Sequence, residues 1–139
     1  MFKLDRAAFS KAAANGANLI PLAESWPADL ETPLTTWIKV GASHPPGVLL
    51  ESIEGGETLG RWSVIACDPL WTATARAEVV ERVWRDGRRD STEGNPFDAL
   101  KGYLSSYRCS QLPGLPPLGQ LYGMWSYELI RWIEPTVPV

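Results

Sequence analysis

Residues 48–69 constrain the fold of this chain more than any other stretch. Two short apolar runs, residues 48–50 and 62–67, flank a segment that carries three glycines and three glutamates. Short runs rich in Val, Ile and Trp and bounded by Gly or Pro are typical of buried β-strands. The sequence therefore predicts two strands joined by a polar, glycine-rich loop.

The end of the first run carries two polar residues, Glu51 and Ser52, directly after Leu49 and Leu50. The commoner interpretation is that the strand simply reaches water at this point, because carboxylates are rarely buried without a partner. A carboxylate and a hydroxyl beside apolar side chains would also suit a small polar ligand. The residue pattern by itself leaves both interpretations open.

Helices are predicted at four places by their caps and periodicity. Asp5 and Gly16 bound an alanine-rich helix, Thr32-Pro33 begins a second that ends by Gly41, and Asn95-Pro96 begins a third. The third helix places apolar residues on one face, which predicts a core stripe of Phe97, Leu100, Leu104 and Tyr107. A fourth helix is predicted at 127–134, with Ser126 as its cap and with Trp125 and Trp132 packing this unit.

Further strands are predicted at 19–23, 71–77, 79–84 and 119–125. Pro21 would place the first of these at a sheet edge, and Asp86-Gly87 is a strong two-residue turn signal. The charged run 82–90 is interpreted as a solvated hairpin tip because its charges have mixed signs. Together the elements predict an α+β fold, a mainly antiparallel sheet with three to four flanking helices, in a single domain over residues 1–139.

The composition narrows the class of protein. A net charge of −3 argues against nucleic-acid binding, and no apolar run is long enough for a membrane span, so the expectation is a cytoplasmic protein. Cys67 and Cys109 lack paired spacing and are expected to be free thiols. His44 could serve as a general base, but two prolines follow it and no nucleophile motif accompanies it, so an exposed loop histidine is expected.

Several segments resemble the amino-terminal region of anthranilate synthase component I. They are Leu49-Leu50-Glu51-Ser52, Glu54-Gly55-Gly56, Gly60-Arg61-Trp62-Ser63 and Asp68-Pro69, together with Asp29, Thr32-Pro33 and residues 119–134. The resemblance covers most of the chain. Aminodeoxychorismate synthase component I is a close relative with a similar amino-terminal region, and it is the alternative.

The resemblance implies a regulatory role. In that family the Leu-Leu-Glu-Ser segment lines the feedback site for L-tryptophan, so the expected tryptophan-binding residues are Leu50, Glu51, Ser52 and Arg61. Arg61 is an equally plausible surface ion-pair partner for a nearby glutamate. Trp62 stands where tyrosine is frequent in the family.

The resemblance also implies partners. Full-length members are lyases that convert chorismate into anthranilate and pyruvate, with Mg²⁺ and with ammonia from a glutamine amidotransferase subunit. Their chorismate and Mg²⁺ residues lie in the carboxy-terminal half, so this chain is expected to hold no catalytic residue and no cofactor, to be inactive alone, and to pack against that catalytic half. A stand-alone amino-acid-binding module and a purely interface-forming element are the remaining alternatives.

Overall fold

The computed structural model describes residues 6–51, 62–112 and 119–137. The chain forms two compact units, Met1–Pro27 with Pro96–Leu121, and Ala28–Asn95 with Tyr122–Val139. The predicted α+β class is confirmed, since helices accompany two antiparallel sheets. That the chain forms a single domain stays a prediction.

The elements in the described residues are short. The helices are α1 (Arg6–Ala14), α2 (Pro33–Thr36), α3 (Pro96–Ser105) and α4 (Ile130–Ile133). A π-helical turn, Trp37–Gly41, continues α2, and a 3₁₀ turn, Tyr127–Leu129, leads into α4. The strands are β1 (Val48–Leu50), β2 (Val64–Ala66), β3 (Trp71–Arg76), β4 (Val79–Trp84) and β5 (Arg89–Glu93). Strands β1 and β2 form one antiparallel pair, and β3-β4-β5 form an antiparallel meander.

In the first unit, Arg108 joins the end of α1 to the chain after α3. Its Nε donates to the Gly16 carbonyl at 2.6 Å, and its backbone N–H donates to Asn18 Oδ1 at 2.7 Å. Gly16 has a φ of 86°, the left-handed helix end that the sequence predicts. The strand predicted at 19–23 is wrong, because only Leu19 pairs, in a single parallel bridge to Cys109. Pro21 has no N–H with which to extend that pairing.

Helix α3 forms as predicted, but its buried face is not the predicted one. The buried residues are Pro96, Ala99 and Tyr103, whereas Phe97 and Leu104 are 37% and 36% exposed. The inward face is displaced by one residue, so the predicted core stripe is wrong for Phe97 and Leu104, whereas Leu100 and Tyr107 are half-buried. Helical spacing indicates that one face is buried, and the packing around the helix selects which face that is.

In the second unit, the β3-β4-β5 meander has a covered and an open face. Trp71 and Val80 are buried on the covered face, while every residue of β5 is exposed. Strand β5 was not predicted because its sequence, Arg-Asp-Ser-Thr-Glu, contains no apolar residue. The interpretation of 82–90 as a solvated tip is wrong for Arg82, which lies in β4 with its side chain only 12% exposed.

The segment before α4 also differs from its prediction. Residues 119–125 form no strand, and Gly119 has a φ of 73°, which extended β backbone does not allow. Trp125 is 48% exposed and so is not a core residue, whereas Trp132 is half-buried. The Ser126 hydroxyl donates to Glu128 rather than capping a backbone N–H.

The predictions about the cysteines and about membrane-spanning segments can also be compared with the described residues. Cys67 and Cys109 are both free thiols, as expected. None of the helices in the described ranges is long and apolar enough to cross a membrane.

Gly119 and Gly102 make a matched pair for a stability measurement. A Cβ at Gly119 would lie 3.0 Å from Cys109 Sγ and from Leu19 Cδ2, and its φ is positive, so Gly119→Ala should lower the free energy of unfolding by about 1 to 3 kcal/mol. Gly102 lies within α3 with open space around it, so Gly102→Ala should raise that free energy by roughly 0.5 to 1 kcal/mol. Urea titration of both variants measures whether each free energy of unfolding falls or rises. An unchanged free energy of unfolding for Gly119→Ala would contradict the close contact of Gly119 with Cys109 and Leu19.

Candidate functional site

Leu50 and Glu51, two of the four predicted site residues, lie at the end of the β1–β2 hairpin from which residues 51–63 connect the two strands. The register pairs Val48 with Ala66, Leu49 with Ile65 and Leu50 with Val64, so both apolar runs form strands as predicted. A two-stranded hairpin is marginally stable by itself in water. The hairpin therefore depends on the elements that pack on it.

Trp37 is the main support of this hairpin. A Cβ at Gly41 would lie 2.0 Å from Trp37 Cε3, and one at Gly47 would lie 2.8 Å from Trp37 Cη2 and 3.1 Å from the Ala66 carbonyl oxygen. The indole thus lies directly against two glycines, and the second immediately precedes β1. The absence of a side chain at both positions is what lets the ring approach the hairpin this closely.

The α2 segment that carries Trp37 is fixed by a capping box. The Thr35 N–H donates to Thr32 Oγ1 at 3.1 Å, and the Thr32 N–H donates to Thr35 Oγ1 at 2.8 Å. Pro33 occupies the first helical position, as the Thr32-Pro33 pair predicts. The helix start and the indole are therefore part of one continuous set of contacts, which reaches the hairpin at the start of β1.

Leu50 and Glu51 are the two predicted site residues that the structure places. Leu50 is 48% exposed at the end of β1, and Glu51 follows it as an exposed residue. Trp62, two residues before β2, is 42% exposed. An exposed carboxylate, Glu51, therefore directly follows the accessible apolar side chain of Leu50 at this end of the hairpin.

Ser52 and Arg61, the other two predicted residues, lie outside the described residues. Their roles stay predictions that rest on the sequence. The pairing of Leu50 with Val64 brings the described residues on either side of 52–61 to the same end of the strand pair.

The described residues hold no group of three His, Cys, Asp or Glu side chains arranged to bind a metal ion. Mg²⁺ needs several oxygen ligands in near-octahedral geometry.

Sequence analysis missed a stack of arginine and tryptophan side chains on the meander. The Arg82 guanidinium lies 4.6 Å from the centre of the Trp84 ring and 5.6 Å from that of Trp71, and Arg88 lies 4.9 Å from Trp84. Arg82 Nε also donates to Asp90 Oδ1 at 2.9 Å. The register that pairs Trp71 with Trp84 and Arg82 with Asp90 brings the groups together, and the sequence shows no signal for it until β5 is known. These contacts are internal to the sheet, which indicates a stabilising role.

The stack predicts a pH dependence. The hydrogen bond from Arg82 holds the pKa of Asp90 below its usual value. A carboxyl whose pKa is depressed on folding stabilises the protein above its unfolded pKa, near 3.9, and that contribution is lost as the pH falls through the lower folded pKa. Asp90→Asn should therefore lower the free energy of unfolding at pH 7 and reduce its loss between about pH 5 and pH 3.

Urea titrations at several pH values measure this effect. Ser91→Ala, the neighbouring uncharged position in β5, is the control and should keep the pH slope of the parent. If the free energy of unfolding changed equally with pH in Asp90→Asn and in the parent, this would contradict the stabilising role of the hydrogen bond between Arg82 and Asp90.

A shallow depression lies on the open face of the meander. Its lining residues are Thr74, Arg76, Val79, Glu81 and Ser91. Glu81 is paired with Arg89 at 3.0 Å, and neither Leu50 nor Glu51, the two predicted site residues that the structure describes, is among the lining residues. Its openness and its paired charge make it a poor ligand site.

Comparison with known proteins confirms the resemblance. The chain is 50% identical over 132 residues to anthranilate synthase component 1 of Synechocystis sp., a match that covers 94% of this chain. It is 34% identical over 131 residues to the protein of the same name from Acetivibrio thermocellus, and 35% identical over 136 residues to that from Pseudomonas aeruginosa. These matches cover 92% and 94% of this chain.

The matched part of each relative is small. The chain spans only 26% to 27% of the length of these three relatives. No family model matches the chain, and no solved structure does. The similarity therefore applies to about a quarter of the length of each relative, and it says nothing of the remaining length.

Proposed function

We propose that this chain, which is similar over nearly its whole length to the amino-terminal region of anthranilate synthase component 1, serves as the tryptophan-sensing region of such an enzyme. It packs against a catalytic half that converts chorismate to anthranilate in tryptophan biosynthesis. That half works with Mg²⁺ and a glutamine amidotransferase subunit in the cytoplasm. The observation that supports this most is the 50% identity over 94% of the chain.

The chemistry of a free amino acid fits the residues at the end of β1. Its ammonium needs a carboxylate, its carboxylate needs N–H or O–H donors or a cation, and its indole needs an apolar wall. In the proposed site Glu51 accepts from the ammonium, Ser52 and Arg61 serve the carboxylate, and Leu50 supplies apolar surface. The exposure of Leu50 and Glu51 leaves both accessible to a ligand.

The proposed site is completed by the catalytic half. Leu50 and Trp62 remain substantially exposed in the 139-residue chain, so an indole bound here would keep one side in water. Covering about 100 Å² of apolar surface is worth roughly 2.5 kcal/mol, or nearly two decades in Kd. Contact with the catalytic half would add that cover and would let occupancy of the site affect the enzyme.

A thermal-shift titration tests this proposal with two proteins. One is the 139-residue chain, and the other is a chimera in which this chain replaces the matched part of the Synechocystis relative. A ligand that binds only the folded state stabilises it by about 2.7 kcal/mol at one hundred times its Kd. L-Tryptophan should raise the melting temperature of both proteins, and a given concentration should raise that of the chimera more.

D-Tryptophan is the control ligand, since it presents the same indole with the ammonium and carboxylate exchanged in space. An equal or larger shift in the 139-residue chain would contradict the proposed contribution of the catalytic half. No shift with L-tryptophan in the chimera would contradict the sensing role.

A further inference from the structure

The α2 segment carries an apolar stripe that consists of Leu30, Leu34 and Ile38. Their side chains are 96%, 55% and 63% exposed. Leu30 lies in the turn before α2, Leu34 in α2, and Ile38 in the π-helical turn that follows. Leu34 and Ile38 are four residues apart, which is the spacing of side chains along one face of a helix, and Leu30 precedes them on the other side of the extended cap residue Thr32.

A polar line beside the stripe shows that four-residue spacing does align side chains here. Thr35 Oγ1 donates to Glu31 Oε2 at 3.0 Å, and Lys39 forms an ion pair with the same carboxylate. Glu31, Thr35 and Lys39 therefore lie along one line. Each residue of the stripe directly precedes one residue of this polar line in the sequence. The stripe therefore runs beside the polar line.

The stripe is presented by an ordered element. The capping box fixes the start of α2, and Trp37, in the π-helical turn that follows, packs against Gly47. An apolar surface that is already ordered loses little conformational entropy when a partner covers it. Large aliphatic side chains exposed in a row on such an element mark an interaction surface.

The size of the stripe indicates which occupant fits. Side chains of this size offer about 60 to 120 Å² each, so the stripe offers less than about 400 Å². A stable association between separate chains buries about 800 Å² on each partner, about twice the area of the stripe, so the stripe by itself favours a contact within one polypeptide over a second copy. It is large enough for a contact within one polypeptide, where the partner surface is held nearby. About three quarters of the Synechocystis relative lies outside the part that this chain matches.

We infer that the stripe is the surface through which this chain docks on the remaining part of component 1, an inference that rests on the proposed function. The partner surface is apolar and receives Leu34 and Ile38. Because Trp37 lies between these two residues in sequence and packs against Gly47, docking at the stripe would be transmitted to the start of β1.

Thermal unfolding of the chimera and of the 139-residue chain tests the inference. The double substitution Leu34→Gln and Ile38→Gln should lower the melting temperature of the chimera by at least about 2 °C, because a docked apolar surface becomes polar. In the 139-residue chain the same variant should melt within about 1 °C of the parent, since both side chains are exposed there. Leu22→Gln, at a side chain that is 76% exposed outside the stripe, is the control and should change neither protein.

An unchanged melting temperature of the double variant in the chimera would overturn the inference. So would an equal loss in the 139-residue chain, because the side chains would then stabilise the chain itself. Adding L-tryptophan to the parent chimera separates the two proposals. A chimera that loses stability with the double variant but ignores tryptophan supports the docking surface and contradicts the sensing role.

Discussion

Substituting Gly41 with alanine is expected to lower the free energy of unfolding by about 2 to 3 kcal/mol. The added methyl group would lie 2.0 Å from Trp37 Cε3 and 2.3 Å from Cζ3, well inside the contact distance of two carbon atoms. The indole would have to leave its place against Gly47 or the π-helical turn would have to unwind. Inserting a methyl group into a close-packed contact costs about 1 to 3 kcal/mol, and here the displaced ring also supports a marginal hairpin.

Urea titration of Gly41→Ala measures this loss, with Gly102→Ala as a matched control at a helical glycine that has open space around it. Tryptophan fluorescence of the variant should also change, since the environment of Trp37 changes. A Gly41→Ala chain as stable as the parent would show that Trp37 does not hold the hairpin.

Glu51→Gln is expected to weaken L-tryptophan binding by roughly 10- to 100-fold. The substitution keeps the shape of the side chain and removes the charge that would accept the ligand ammonium. A hydrogen bond to a charged group contributes about 1.5 to 3 kcal/mol, and each 1.4 kcal/mol is a factor of ten in Kd. Because Glu51 is exposed, the stability of the ligand-free chain should stay within about 0.5 kcal/mol of the parent.

Calorimetric titration of the chimera measures this affinity change. Glu78→Gln, in the turn between β3 and β4, removes the same charge away from the site and should leave the Kd unchanged. Equal affinity of the Glu51→Gln and parent proteins would remove Glu51 from the site.

The elements that could be predicted from sequence are those whose signals are local. Strands β1 and β2 are apolar runs between glycines and prolines, and the start of α2 carries both its cap and its first-turn proline. Strand β5 has no such signal, because all of its residues are polar and exposed and only pairing with β4 makes it a strand. Tertiary packing likewise decides that Tyr103 rather than Leu104 faces inward on α3.

The candidate site could be predicted only in part. A glutamate after a strand is ordinary at a protein surface, so Glu51 was selected by the resemblance of its segment and not by its chemistry. The contact of Trp37 with Gly41 and Gly47, at the start of β1, could not be predicted either, because it depends on how α2 packs against the hairpin. The spacing of residues in the sequence does not show the angle at which α2 packs against the hairpin.

The most direct test of the account is a calorimetric titration of the chimera with a panel of free amino acids. L-Tryptophan should bind with one site per chain, and L-phenylalanine, L-tyrosine and D-tryptophan should bind at least tenfold more weakly. The site would then be selective for an indole beside a correctly placed ammonium. Binding of another amino acid in preference to L-tryptophan, or the absence of any binding, would contradict the account.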